Sequence, residues 1–240
     1  MEKPVVLDIE ENIAWITLNR PERRNAMNQA LLAQLYDALE TVSETDDLRV
    51  AILTGRGKSF CSGLDLGIIT KENLFDPRGD GTDLMDILSA FEKPLMGAIN
   101  GHAITGGFEL ALNCDFLIAS EKAAFADTHA KVGIHPGWGM TQLLQQAIGQ
   151  RRAKQLSFTG AFIQADQACR WGLVNEVVPH EMLLPRAGEI ARQVADLNPD
   201  MLGVMKRLIE IRNTESLASA LARERQGFDQ FLRQHLAPNQ

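Results

Sequence analysis

The chain has 240 residues, 45% of them hydrophobic and 23% charged, with a formal net charge of −7. This composition argues against disorder and against general binding of nucleic acid or anionic membrane, and the length suits one α/β domain with a helical appendage. The three cysteines, Cys61, Cys114 and Cys169, are scattered and form no C-x-x-C pair, so a disulfide framework or zinc site is not expected.

In chain order, Val5 to Glu10 and Ile13 to Leu18 read as two strands rich in β-branched residues, joined by a turn at Glu11-Asn12. A basic loop with Pro21 follows. From Asn28 a helix is expected, with Leu31, Leu35, Leu39 and Val42 on one face. Val50 to Thr54 is a short apolar run with the character of a buried strand, ending in a loop at Gly55 to Lys58. Gly67 to Asp83 has weak periodicity and holds Pro77, Gly79 and Gly81, which predicts a long, mobile loop near function. A short helix is expected over Leu84 to Phe91, a strand over Leu95 to Ile99, and a Gly-rich turn over Gly101 to Gly107.

A helix from Glu109 to Asn113 and a strand from Phe116 to Ala119 come next. Helices are expected at Met140 to Ile148, Arg152 to Phe158 and Ala165 to Trp171, and a last strand at Val174 to Val178. From Glu181 to about Leu236 the pattern is helical, broken at Asn198-Pro199. The expected division is a core over 1–195 and a C-terminal helical subdomain over 196–240. No apolar run approaches the roughly 18 residues of a membrane span, and the N-terminus has no signal pattern, so a cytoplasmic protein is expected.

Two Gly-centred turns stand out, each just past a buried strand. The first is Phe60-Cys61-Ser62-Gly63-Leu64-Asp65-Leu66; the second holds Gly106-Gly107 where a helix starts. Backbone N–H groups at a helix start lack intrahelical partners, and glycine lets a ligand approach them. Such a place suits an oxygen that gains negative charge. Glu109 follows the Gly pair by two residues, close enough to move a proton beside a carbonyl. A tight turn with a solvated glutamate fits these local residues equally well.

The wider order of segments decides between them. Asn19-Arg20-Pro21-Glu22 with Asn25-Ala26, the Phe60 to Leu66 turn, Lys93-Pro94, Asn100-Gly101, and Gly106 to Ala111 follow one another. So do Cys114-Asp115, Ala124-Phe125, Gly133, Pro136-Gly137 and Gly172-Leu173-Val174. From about residue 5 to about residue 195 this order resembles the crotonase (enoyl-CoA hydratase/isomerase) family. The resemblance implies an α/β fold, a spiral of ββα turns with a helical C-terminal part, assembled as a homotrimer or a dimer of trimers. It implies an acyl-CoA thioester substrate, with coenzyme A entering as part of that substrate and no separate cofactor or metal. Carried over by position, the backbone N–H groups of Leu64 and Gly106 form an oxyanion hole and Glu109 is an acid/base. Arg24, Ala26, Ser62, Asp65 and Leu66 are the CoA-binding candidates.

The chain departs from the family pattern where hydratases carry a second glutamate. Counting back from Gly133 and Pro136, that position is His129. Histidine titrates near neutral pH, about 6.5, so a Glu109–His129 couple is workable, with Asp127 placed to orient the ring. His102 and His135 read as structural. Trp138 is bulky where many relatives carry a small residue. The expected activity is enoyl-CoA hydration. The alternatives are another reaction through the same enolate, such as isomerisation or thioester hydrolysis, and acyl-CoA binding without catalysis.

Overall fold

The structure is a computed structural model that describes residues 3–235, and the chain divides into two compact units, 1–196 and 197–240. In the first unit, β1 (Val5–Glu10) and β2 (Ile13–Leu18) form an antiparallel hairpin. Helix α1 (Gln29–Glu44) follows, capped by Asn28, whose side chain accepts from the Leu31 N–H. From there the chain winds in repeating turns. Strands β3 (Val50–Gly55) and β4 (Ser59–Cys61) precede α2 (Leu84–Ser89). Strands β5 (Leu95–Ile99) and β6 (His102–Ile104) precede α3 (Gly106–Leu112), and β7 (Phe116–Ser120) and β8 (Ala124–Ala126) precede α4 (His129–Val132). Helices α5 (Met140–Ile148) and α6 (Gln150–Thr159), strand β9 (Ile163–Gln164), helix α7 (Ala165–Trp171), strand β10 (Glu176–Val178) and helix α8 (Leu183–Ala195) complete the unit.

Each ββα turn gives its first strand to a six-stranded sheet, β1-β2-β3-β5-β7-β10, and its second to a four-stranded sheet, β4-β6-β8-β9. All pairs from β2 to β10 in the larger sheet are parallel. Parallel sheets are covered on both faces, which accounts for the unbroken apolar runs of β3 and β5. Side chains alternate across the sheet. Ile13, Val50, Ile52, Met96 and Ile118 meet Leu183, Ala187 and Ala191 of α8. Ala14, Ile16, Ala51, Leu53 and Ile99 face the larger core with α1 and the second sheet.

The second unit holds α9 (Pro199–Glu210), capped by the Asn198 side chain, and α10 (Leu217–His235). Among the described residues no helix is long and apolar enough to cross a membrane. Residues 236–240, including Leu236, lie outside the described residues.

Three differences from the sequence expectations matter for the site. The segment read as a Gly-rich turn contains β6, and α3 begins at Gly106 rather than Glu109. Strands β4 and β8 were not expected either; at three residues each they are too short to show alternation. The segment 67–83 lacks strand and helix as expected, yet it is fastened to α1. The Gln29 N–H donates to Glu72 (2.8 Å), and Gln29 Nε2 donates to the Pro77 carbonyl (2.9 Å). Arg78 pairs with Glu40 and Asp80 and lies 5.6 Å from the centre of the Tyr36 ring.

Asn25 joins the N-terminal loop to the strands behind it. It is fully buried, at a left-handed φ of 55°. Its Nδ2 donates to the carbonyls of Arg56, Ser59 and Phe60, and its Oδ1 accepts from the Arg20 N–H. Asn25→Ala leaves these groups unpaired and adds a Cβ-bearing residue without a local hydrogen bond at positive φ, so it should destabilise the protein by about 3 kcal/mol in urea unfolding. Asn25→Gly should lose less, because it relieves the backbone part of the cost.

Candidate active site

The two Gly-centred turns meet. Residues 24–27 run beside residues 62–65: the Ser62 N–H donates to Arg24 O (3.1 Å), the Met27 N–H to Gly63 O (2.8 Å) and the Asp65 N–H to Met27 O (2.9 Å). This pairing is a parallel bridge between Met27 and Leu64. Its bonds come from the neighbours of Leu64, so the Leu64 N–H points away from it. Gly63 sits at φ 90°, and a Cβ there would lie 3.2 Å from the Gly106 N. Gly107 is held still closer: its Cβ would lie 2.1 Å from the Cys61 carbonyl oxygen.

Thr105 sets the direction of the second turn. It is β-branched yet held at φ 53°, a conformation that costs about 1–3 kcal/mol. Its N–H donates to Ala126 O (2.9 Å), its carbonyl accepts from Phe108 and Glu109, and its hydroxyl is bonded to that of Thr128. The turn is thereby fixed from β8, and the Gly106 N–H stands at the first position of α3. Among the described residues, neither the Leu64 nor the Gly106 N–H has a backbone acceptor in the surrounding turns.

Both residues line one open cleft of about 120 Å³ together with Ser62, Leu66, Glu109, His129 and Trp138. Glu109 is 2% exposed. Its Oε1 accepts from the Trp138 N–H (2.9 Å) and the Met140 N–H (3.2 Å), which leaves Oε2 toward His129 Nε2 at 3.5 Å. On the other side of the ring, His129 Nδ1 lies 2.7 Å from Asp127 Oδ1, which also accepts the His129 backbone N–H at 3.1 Å. Both ring nitrogens therefore face carboxylates, and only the imidazolium can donate from both. Burial alone would lower the pKa of His129, but its bonds to Asp127 and Glu109 and their charges outweigh that and push it up to about 9. Burial of Asp127 raises its pKa, but bonds from His129 and Ser157 outweigh this and hold it below the usual carboxylate range. The ring lies between the carboxylates, so the three groups do not converge on one point; among the described residues no such set is placed to share a metal ion.

Of the residues singled out in the sequence, Ser62, Leu64, Leu66, Gly106, Glu109 and His129 share the cleft. Arg24, Ala26 and Asp65 stand beside it. Arg24 is exposed, the Ala26 carbonyl accepts from Arg20, and the Asp65 carboxylate lies 3.4 Å from Arg20 Nη2. His135 is exposed and reaches the cleft rim, and His102 lies edge-on to Phe162. Sequence reading missed Phe75, which meets Trp138 with ring centres 6.1 Å apart on the cleft wall. It also missed the grip of the Trp138 and Met140 N–H groups on Glu109; the Pro136-Gly137-Trp138-Gly139 turn was the available signal.

The charged state of His129 has a consequence for stability. With its folded pKa raised from 6.5 to about 9, its contribution is fully present below pH 6.5 and is lost as pH rises through 9. Urea unfolding of the wild type and of His129→Gln at pH 6.5 and pH 9.5 should show the larger decline in the wild type. Equal declines would mean that the ring is not held as a cation.

Comparison with known proteins gives this arrangement its context. The sequence pattern described as enoyl-CoA hydratase/isomerase matches residues 8–237. The chain is 40% identical to a probable peroxisomal enoyl-CoA hydratase of Arabidopsis thaliana, over 89% of this chain and 81% of that protein. It is 36% identical to a 2,3-dehydroadipyl-CoA hydratase of Escherichia coli, over 93% of this chain and 88% of that one. A crystal structure of an enoyl-CoA hydratase subunit from Geobacillus kaustophilus superposes with a TM-score of 0.88 at 32% identity, covering 96% of this chain and 90% of that one. With its ββα spiral and paired glycine turns, the chain belongs to the crotonase, or enoyl-CoA hydratase/isomerase, family.

Proposed function

We propose that the protein adds water across the double bond of a 2-enoyl-CoA thioester. The observation that carries this reading is the Glu109–His129 couple facing a cleft beside two N–H groups that have no backbone acceptor among the described residues. The thioester oxygen sits between the Leu64 and Gly106 N–H groups, which stabilise the negative charge that develops there. Glu109 Oε2 takes a proton from water as its oxygen bonds to the β-carbon. The electrons move onto the thioester oxygen as the enolate. They return as His129 Nε2 gives its proton to the α-carbon. Glutamate ends protonated and histidine neutral, and the proton then passes from one to the other. At neutral pH the imidazolium of His129 starts in the state this sequence needs.

The CoA portion lies along the segments carrying Arg24, Ala26, Ser62, Asp65 and Leu66 on this reading. The chemistry calls for no metal and no redox cofactor. Three free thiols suit a reducing, cytoplasmic setting. In the second unit Met205, Ile209, Leu217, Leu221 and Phe228 are exposed, which supports an oligomerisation role for the C-terminal helical subdomain over 196–240; the trimer or dimer of trimers follows from the family resemblance.

Isomerisation of a 3-enoyl-CoA is the second reading. A histidine at position 129, in place of the second hydratase glutamate, favours it, since one acid/base couple suffices for a 1,3-proton shift. Hydration is tested with crotonyl-CoA by loss of the conjugated enoyl absorbance. Glu109→Gln should reduce kcat by roughly 10²–10⁴-fold while CoA-thioester affinity stays within a few-fold. Wild-type rates in that variant would sink the assignment. Turnover of 3-enoyl-CoA without hydration would favour isomerisation, and tight binding without any turnover a non-catalytic binder.

A further inference from the structure

We infer that Asp127 is a positioning residue that turns His129 Nε2 toward Glu109 and keeps both ring nitrogens protonated. This rests on the reading of His129 as the proton donor to the α-carbon.

The geometry is local and buried. Asp127 follows the last residue of β8 and is 2% exposed. One oxygen, Oδ1, accepts both the backbone N–H of His129 and its ring Nδ1–H. Two bonds from the same residue to one acceptor restrict the side-chain torsions of His129, so the ring cannot turn without breaking one.

The chemical effect follows from the ring's inventory of protons. A neutral imidazole bears one N–H, and giving that proton away leaves an imidazolate, too basic to form in this step. An imidazolium gives a proton from Nε2 and becomes an ordinary neutral ring. Buried among apolar walls, an isolated histidine favours the neutral form. Glu109, from α3, and Asp127 are the charges that oppose this at His129. Lys131, on the same short helix, turns away to donate to the Gly160 carbonyl (2.7 Å), and His135 Nδ1 is engaged with the Pro136 carbonyl. The α6 residues Arg151, Arg152 and Lys154 are exposed. Since Glu109 must become neutral during the reaction, Asp127 is the carboxylate that keeps its charge throughout.

The test reads the ring directly in the full-length protein. Nitrogen-15 NMR of the imidazole, assigned with His129→Gln, should show both ring nitrogens of the wild type protonated at pH 7.5. In folded Asp127→Asn the titration midpoint should fall from about 9 to or below 6.5. The alkaline limb of kcat should move with it, while KM for crotonyl-CoA changes less than about threefold. A wild-type ring that is neutral at pH 7.5 overturns the proposal even if the variant fails to fold, and so does an unchanged midpoint in a folded variant. Absence of hydration by the wild type would defeat the proposed function alone, because the ring measurement needs no substrate.

Discussion

The constraint on which the site depends is the contact between the end of β4 and the start of α3. The backbone of Gly107 lies so close to the Cys61 carbonyl that no side chain fits between them. Gly63 and Gly106 continue the same contact, and the two turns share one cleft because of it. The ββα winding explains how this arises. Successive turns of the spiral place β4, β6 and β8 side by side, so that residues following each strand emerge at one place. Leu64 comes from the first turn, Gly106 and Glu109 from the second, and His129 from the third. Three segments distant in sequence become one site through the pairing of three short strands.

The buried charges beside that contact are arranged so that none is left alone. Two backbone amides hold one oxygen of Glu109, and Asp127 and Glu109 flank His129. A buried carboxylate or imidazolium without such partners would lose its charge. The positive φ of Thr105 belongs to the same arrangement, since its backbone and hydroxyl bonds to β8 and Thr128 hold the turn that presents Gly106.

The parts of the fold that were legible in the sequence are those with long apolar patterns. The hairpin of β1 and β2, the face of α1, and the helices α5 and α7 follow from periodicity and turn chemistry. The three-residue strands β4, β6 and β8 escaped because they carry too few residues to alternate, and their existence depends on one another rather than on local preference. In the site, Glu109 and the glycines were visible through their spacing, and His129 through its departure from the family pattern. The amide grip of Trp138 and Met140 was not, because it joins α3 to a turn nearly thirty residues later. Asn25 was visible as part of the family-like N-terminal loop, but nothing local in a polar loop shows that its side chain will meet three carbonyls across a strand.

The cleft wall and the Glu109–His129 couple belong to different parts of the chain. Phe75 stands on the segment 67–83, which Glu72, Pro77 and Arg78 fasten to α1 at several points. Glu109 and His129 ride on α3 and α4 and take their support from Asp127 and the start of α5. Substitutions, insertions or deletions between the fastening points would reshape that wall of the cleft while leaving Glu109 and His129 in place. The architecture thus lets one surface segment set the shape of the cleft wall independently of the buried charges beside it.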